Sequence, residues 1–213
     1  ELRDGSWLIC VADVAGHGVP AAMGVAMLKM LLLVAAEQEE ADPVSVLNFV
    51  NRKFCESTLP EHFASMFVVR WRPHSRCLEY ASAGHEPPLH LDTRGRLTNL
   101  AGTGLVLGVD PNSEWRSETI ILATGDRLLL FSDGVIETRG NDGELFGRFR
   151  LSTCFSQFRD LSPSQIVTEL AGRLSNHRGG HAAADDQTLL VLEVAGPAQI
   201  GSNGGRQSPS DAA

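Results

Sequence analysis

Three aspartates stand where an apolar run meets a turn, and their side chains are the first candidates for chemistry in this sequence. Asp13 and Asp133 follow such runs, and Asp185 precedes one. Because the end of one antiparallel strand lies beside the start of its neighbour, these carboxylates can meet if their strands are adjacent. Clustered carboxylates need a neutralising cation, and oxygen ligands without Cys or paired His favour Mg²⁺ or Mn²⁺. The alternative is three unrelated turn aspartates.

The first of these residues, Asp13, lies in a segment that predicts a strand, a glycine turn and a helix. Trp7–Ala12 is apolar and predicts a buried strand. Pro20 suits the first turn of a helix. Gly16 and Gly18 permit positive φ or a close approach of backbone to a ligand. An ordinary strand-to-helix turn, with Asp13 bonded to its own backbone, is the competing interpretation.

The elements that must position these aspartates form an α+β pattern. Strands joined mostly by hairpins, with helices grouped rather than alternating, predict antiparallel sheets in layers and not a doubly wound parallel sheet. The predicted strands beyond the first are 64–71, 77–83, 89–91, 97–100, 118–122, 127–131 and 188–194, and the predicted helices are 20–37, 43–57 and 162–175, with a helical turn at 135–138.

Composition narrows the function classes. The chain has 213 residues and a net charge of −8, so it has no basic face for nucleic-acid phosphates. The four cysteines form no C-x-x-C pair, which favours reduced thiols in the cytosol. The apolar run Ala21–Ala36 is interrupted by Lys29 and is short for a membrane span, so a core helix is expected. Gly102–Gly108 lacks the Lys-Ser/Thr of a phosphate-binding P-loop.

Five motifs in one order carry a family resemblance. They are Asp13–Gly18 (DVAGHG), Ala83–Pro88 (AGHEPP), Gly125–Val135 (GDRLLLFSDGV), Asp142–Gly147 (DGELFG) and Asp185–Leu189 (DDQTL). Together they resemble the bacterial SpoIIE-like branch of the metal-dependent (PPM, 2C-type) serine/threonine phosphatases, over about residues 2–194. The resemblance implies a four-layer sandwich of two antiparallel sheets flanked by helices. It also implies a site for two Mn²⁺ or Mg²⁺ ions at one end.

The same resemblance assigns roles to residues. Asp13 would bridge the two metals, the Val14 carbonyl would hold one of them, and Asp133 and Asp185 would be further ligands. Asp186 stands where other branches often have Asn. The phosphoryl group would then be hydrolysed in line by a water molecule that the metals activate, without a covalent protein nucleophile.

Other polar residues near the motifs are expected to be structural. Ser132 is one, because the chemistry needs no protein nucleophile. His17 could shuttle a proton or orient a water, but a hydrogen bond that shapes its turn is the simpler role. His85, between Gly and Glu-Pro-Pro, is interpreted as fixing its loop. His177 and His181 are separated by glycines, which argues against a helical zinc pair.

One family feature is unmatched. Members carry a Gly-Gly-Asp motif on a strand upstream of the position where this sequence begins, and its Asp holds the second metal. We therefore expect either a missing upstream segment or a site for one metal, with weak activity that the segment would raise. The predicted domain is 1–195, without its N-terminal strand, and 196–213 is predicted to be a disordered tail.

Three functions remain open from the sequence. The first is a phosphoserine/phosphothreonine phosphatase that acts on an anti-anti-sigma-type regulator in a bacterial stress response. It would be cytoplasmic, with no nucleic-acid partner or membrane insertion, and would be controlled by an N-terminal sensor or receiver domain. The second is a weak or inactive phosphatase-fold module that acts in partner switching. The third, a nucleotide-cleaving hydrolase, ranks last because the chain lacks a phosphate-cradling loop.

Overall fold

The computed structural model describes residues 1–38, 41–58 and 62–196. Its eight strands are β1 (Trp7–Val14), β2 (Ala64–Arg72), β3 (Cys77–Ala83), β4 (Leu89–Leu91), β5 (Leu97–Asn99), β6 (Glu118–Ile121), β7 (Arg127–Phe131) and β8 (Leu189–Glu193). The five helices in these ranges are α1 (Gly18–Ala36), α2 (Pro43–Ser57), α3 (Asp133–Ile136), α4 (Gly147–Gln157) and α5 (Pro163–His177).

The strands form two antiparallel sheets of four. The first sheet has the order β1-β2-β3-β6 and the second has the order β5-β4-β7-β8. Every strand pair is antiparallel. The predicted fold class, an α+β sandwich of two antiparallel sheets with flanking helices, is confirmed.

Three apolar clusters separate the layers. One packs α1 and α2 on the first sheet, a second packs α4 and α5 on the second sheet, and a third lies between the sheets. Successive side chains of β2 point to opposite faces of the first sheet. Met66 and Val68 join the cluster under the helices, and Phe67 and Val69 join the cluster between the sheets. Because both faces are covered, β2 is a continuous apolar run.

Helices α2 and α5 begin where local chemistry predicts. Asp42 accepts hydrogen bonds from the N–H groups of Val44 (3.0 Å) and Ser45 (3.1 Å), directly before Pro43. Ser162 and Gln165 form a capping box at the start of α5. Both starts match the sequence prediction.

Helix α1 differs from its prediction as a core helix. Only Gly24, Leu28 and Ala35 are buried. Its length and hydropathy would suffice to cross a membrane, but a core helix or a signal sequence passes the same test, so this observation establishes no span. One face of α1 does join the core, since Leu28 and Ala35 belong to the cluster on the first sheet. The rest of its apolar surface is exposed, because an apolar composition does not say which side of a helix is covered.

Two further differences concern the C-terminal half. Helix α4 was not predicted, because its sequence RFRLSTCFSQ has weak periodicity and buries only Leu151 and Phe155. The short helix α3 begins at Asp133, two residues before the predicted helical turn. The predicted tail lies outside the described residues except for Gly196.

Candidate metal centre

Asp13 is held at the end of β1 by its pairing with β2. It lies opposite Ser65 in the antiparallel register. Beyond the strand, the N–H of Ala15 donates to the Phe63 carbonyl (2.9 Å), so the pairing continues past Asp13. Gly16 then adopts φ +98°, a conformation that glycine reaches without strain, and the chain turns into α1. The Asp13 carboxylate is therefore fixed by the strand and not by the loop.

Asp133 and Asp185 flank the paired strands β7 and β8: Asp133 follows β7 as the first residue of α3, and Asp185 lies in the segment before β8. The Ser132 N–H donates to the Thr188 carbonyl (3.2 Å), and the Ser132 hydroxyl accepts from the Thr188 N–H (3.0 Å). The same hydroxyl donates to the Asp186 carbonyl (3.2 Å). Ser132 is thus engaged in joining the two strand ends, which draws Asp133 and Asp185 together.

Gly134 makes this close approach possible. A Cβ at this position would collide with the Asp186 carbonyl and would contact the Asp185 Cβ at 3.4 Å. Gln187 also links the two segments, because its side-chain amide donates a hydrogen bond to the Thr138 hydroxyl (2.6 Å). The segment that carries Asp185 therefore packs directly on the turn that carries Asp133.

The structure brings the three predicted aspartates together. One carboxylate oxygen from each of Asp13, Asp133 and Asp185 lies within 4.8 Å of the others. Asp133 Oδ1 is buried and has no hydrogen-bond partner among the described residues. A buried acceptor without a donor is costly, so this oxygen is suited to a cation. The donor set, all oxygen, fits a hard divalent ion.

The electrostatics of the cluster favour neutralisation. The pKa of Asp13 is raised to about 6, first by burial, then by its hydrogen bond to Asp133 and by the charges of Asp133 and Asp185. The Val14 N–H opposes this shift. A bound cation would remove the repulsion and restore the ionised form of Asp13.

The cluster lines a cleft of about 280 Å³. Val14, assigned a metal-binding carbonyl by the resemblance, also lines it. None of the described residues that line this cleft is Lys or Arg. The lining residues are Asp13, Val14, Ala15, Gly16, Phe63, Ser65, Gly84, His85, Glu86, Val106, Asp133 and Asp185.

The histidine in the cleft is not the one for which the sequence suggested a possible catalytic role. His17 is exposed, makes no side-chain cap for α1 and is not among the cleft-lining residues, so its proton-transfer role stays a prediction. His85, interpreted as a loop-fixing residue, lies in the cleft and is 5% exposed. His177 packs its ring against Phe146 and contacts the Glu144 carbonyl through Nε2 at 3.1 Å.

The sequence interpretation missed the residues that shape the cleft rim. Arg148 Nη1 donates to Glu86 Oε2 (2.8 Å), and its other nitrogen donates to the Pro87 carbonyl and to Asn99. The guanidinium also lies 5.2 Å from the centre of the Phe131 ring. The sequence signal was weak, because Arg148 is separated by about sixty residues from the loop it holds.

Comparison with known proteins places this geometry in a family. Residues 3–195 match the family model described as Stage II sporulation protein E (SpoIIE). The chain belongs to the SpoIIE family. Phosphoserine phosphatase RsbU of Bacillus subtilis (strain 168) is 33% identical over 185 residues, which are 86% of this chain and 54% of that protein. The chain spans between 34% and 54% of the length of the first curated relatives it matches.

Solved structures support the same fold for this SpoIIE family member. The SiaA-PP2C domain of Pseudomonas aeruginosa has a TM-score of 0.81 and 25% identity, with 91% of this chain and 77% of that chain covered. The catalytic domain of the phosphatase PstP, solved in complex with two manganese ions, has a TM-score of 0.59 and 15% identity. That likeness covers 86% of this chain and 85% of the PstP chain, and it concerns the fold alone.

Proposed function

We propose that this chain is the catalytic domain of a metal-dependent protein phosphatase. Its substrate would be phosphoserine or phosphothreonine on a small regulatory protein of anti-anti-sigma type. The observation that carries the proposal is the convergence of Asp13, Asp133 and Asp185 within 4.8 Å in a cleft. The relative named phosphoserine phosphatase RsbU supports the substrate class.

The donor set suits Mn²⁺ or Mg²⁺. Asp13, Asp133, Asp185 and the Val14 carbonyl would hold the metal. When bound, divalent cations acidify water and neutralise the charge that develops on a phosphoryl group. The described residues that line the cleft include no Lys or Arg, so they supply no side-chain cation for that charge. PstP, a protein of the same fold, binds two manganese ions.

Protein groups around the cluster have their own tasks. Phe63 and Val106 are apolar residues that line the cleft beside the carboxylates. Ser132 does not serve as a nucleophile, since its hydroxyl joins β7 to β8. The chemistry therefore relies on water and on the carboxylate ligands, without a covalent intermediate on the protein.

The inactive partner-switching module is the less favoured alternative. A module that had lost turnover would have no need to keep three carboxylates in a repulsive cluster with a raised Asp13 pKa. The proposed setting is cytoplasmic stress signalling in a bacterium, under the control of an N-terminal sensor or receiver domain. The four free cysteines are compatible with a reducing compartment.

Hydrolysis of p-nitrophenyl phosphate tests the proposal. We expect turnover with Mn²⁺, none with excess chelator, and none in Asp133→Asn with Mn²⁺. The same assay on phosphoserine peptides checks the substrate class. If neither this chain nor a longer version with the upstream segment shows metal-dependent turnover, the module is the correct description. A higher rate in the longer version would support a second metal site completed by that segment.

A further inference from the structure

The described residues that line the cleft include one charged side chain outside the aspartate cluster. Glu86 lines the same cleft as the three aspartates but is not part of the cluster that they form. A phosphoserine side chain carries about two negative charges near pH 7. Because like charges repel, an uncompensated Glu86 would oppose the entry of a phosphorylated and acidic substrate.

Arg148 compensates the charge of Glu86 from outside the lining. It is the second residue of α4, and it is not among the residues that line the cleft. Its Nη1 donates to Glu86 Oε2 at 2.8 Å, which is a charge-assisted hydrogen bond. Both side chains are partly buried, so salt screens this ion pair less than it screens a fully exposed one.

Neutral groups hold the Arg148 guanidinium in place. Its Nη2 donates to the Pro87 carbonyl and to Asn99 Oδ1 (3.0 Å). The guanidinium also lies 5.2 Å from the centre of the Phe131 ring. None of these three groups carries a charge. Among the described residues, the positive charge of Arg148 is therefore matched by Glu86 alone.

We infer that Glu86 and Arg148 set the charge preference of the cleft for the residues that flank the phosphoserine of a substrate. Arg148 is a positioning residue, because it acts through Glu86. While the pair is intact, the carboxylate of Glu86 is neutralised, and the cleft accepts acidic flanking residues. The inference rests on the proposed phosphatase function and deepens it by naming a feature of the substrate that the cleft distinguishes.

Steady-state kinetics on two phosphoserine peptides test the pair. One peptide has Asp and Glu on both sides of the phosphoserine, and the other has Lys and Arg. Arg148→Met removes the charge but keeps a long side chain. We expect it to raise KM for the acidic peptide about threefold to tenfold and to leave KM for the basic peptide no higher than native. The rise should shrink at high salt.

Two further variants separate charge from loop anchoring. Glu86→Gln should shift the preference in the opposite direction, toward the acidic peptide. The double variant Glu86→Gln/Arg148→Met should return KM for the acidic peptide close to native, because it removes the released carboxylate. If Arg148→Met raises KM equally for both peptides, or if the double variant stays as impaired as Arg148→Met, Arg148 only anchors its loop and the inference is wrong.

Arg150→Met is the matched control. Arg150 lies on the same helix and forms an ion pair with Glu144 at 2.7 Å, and neither residue lines the cleft. We expect native KM values for both peptides from this variant. A change in peptide preference as large as that of Arg148→Met would show that any charge on α4 has this effect, which overturns the specific role of the Glu86–Arg148 pair.

A second measurement does not depend on turnover. Urea unfolding of the native chain, both single variants and the double variant in chelator reports whether Glu86 and Arg148 are coupled in the fold. We expect the double variant to lose less stability than the two single variants added together, and strict additivity would refute the pair. If the native chain hydrolyses neither peptide with Mn²⁺ while the coupling is present, the proposed function fails and the ion pair is structural.

Discussion

The helices that cover the two sheets use their apolar residues very differently. On the second sheet, α5 buries Ile166, Leu170 and Leu174 at four-residue spacing, and its remaining surface is mainly polar. On the first sheet, α1 is apolar along most of its length yet buries little. Val19 is 72% exposed and Met23 is 66% exposed. Helix α5 therefore buries its apolar residues within the fold. Most of the apolar surface of α1 is not covered by the described residues.

This difference extends to the aspartate cluster, because each sheet supplies carboxylates to it. Asp133 and Asp185 lie beside the ends of β7 and β8, which pack against α4 and α5. Asp13 stands five residues before α1 begins at Gly18, and the N-cap residue of α1 makes no side-chain hydrogen bond. Stability around Asp133 and Asp185 thus comes from a complete layer, whereas Asp13 depends mainly on the β1–β2 ladder. The two halves of the site are therefore supported unequally by the helices around them.

The largest expected effect is the loss of phosphatase activity when Asp13, on the first sheet, or Asp133, beside the second sheet, loses its carboxylate. We predict that Asp13→Asn and Asp133→Asn each lower Mn²⁺-dependent kcat/KM on the order of a thousandfold, or about 4 kcal/mol of transition-state stabilisation. Initial-rate kinetics at saturating Mn²⁺ measure this. Asp142→Asn, which changes an exposed turn carboxylate, is the control and should retain the native rate. Full activity in Asp13→Asn would show that the first sheet supplies no ligand.

The second prediction concerns the two helices directly. Leu170→Ala empties a fully buried position on α5 and should lower the free energy of unfolding by about 2–5 kcal/mol. Met30→Ala on α1 alters a side chain that is 60% exposed and should change it by less than about 0.5 kcal/mol. Urea denaturation of both variants provides the measurement. A cost at Met30 as large as that at Leu170 would mean that the outer face of α1 is covered in solution.

The contrast between these helices also marks what the sequence could predict. The spacing of Ile166, Leu170 and Leu174, with a cap at Ser162, determines both the type and the buried face of α5. In α1 the apolar residues fall on every side, so periodicity cannot select a face. Helix α4 was missed for the reverse reason, because Leu151 and Phe155 are too few to produce a clear period.

Some residues of the candidate site could likewise be predicted from the sequence, and others could not. Asp13, Asp133 and Asp185 were predictable because strand ends and glycines are local signals, and antiparallel pairing brings such ends together. His85 and Ser65 were not, since their contact depends on how the 83–88 loop folds back over β2. The metal-binding roles of the aspartates remain predictions that the Mn²⁺-dependent kinetics of Asp13→Asn and Asp133→Asn would test.

The third prediction concerns the effect of Asp13 ionisation on stability, which depends on pH. In the metal-free chain the folded-state pKa of Asp13 is raised to about 6, above the ordinary aspartate value of 3.8. The native state therefore binds this proton more tightly than the unfolded state, and the repulsion that destabilises the fold is full above pH 6 and relieved as pH falls toward 4. Asp13→Asn should thus be more stable than the native chain at pH 7, by roughly 1 kcal/mol after solvent screening.

Thermal unfolding in chelator between pH 4 and pH 8 measures that difference. Subtracting the two curves cancels the titration of groups shared by both proteins, including His85. The stability advantage of Asp13→Asn should shrink as pH falls through about 6. An advantage that is constant with pH would assign the effect to packing and not to charge.

The smallest predicted effects compare the helix starts on the two sides. Asp42 accepts two short bonds, at 3.0 Å and 3.1 Å, whereas the Ser162 hydroxyl accepts one long bond, at 3.4 Å, from the Gln165 N–H. Asp42→Ala should therefore cost about 1 kcal/mol of unfolding free energy and Ser162→Ala about 0.5 kcal/mol. Asp42→Asn keeps an acceptor and should stay close to native in the same urea titrations. The reverse order of costs would show that the number and length of these capping bonds do not determine how much each cap stabilises its helix.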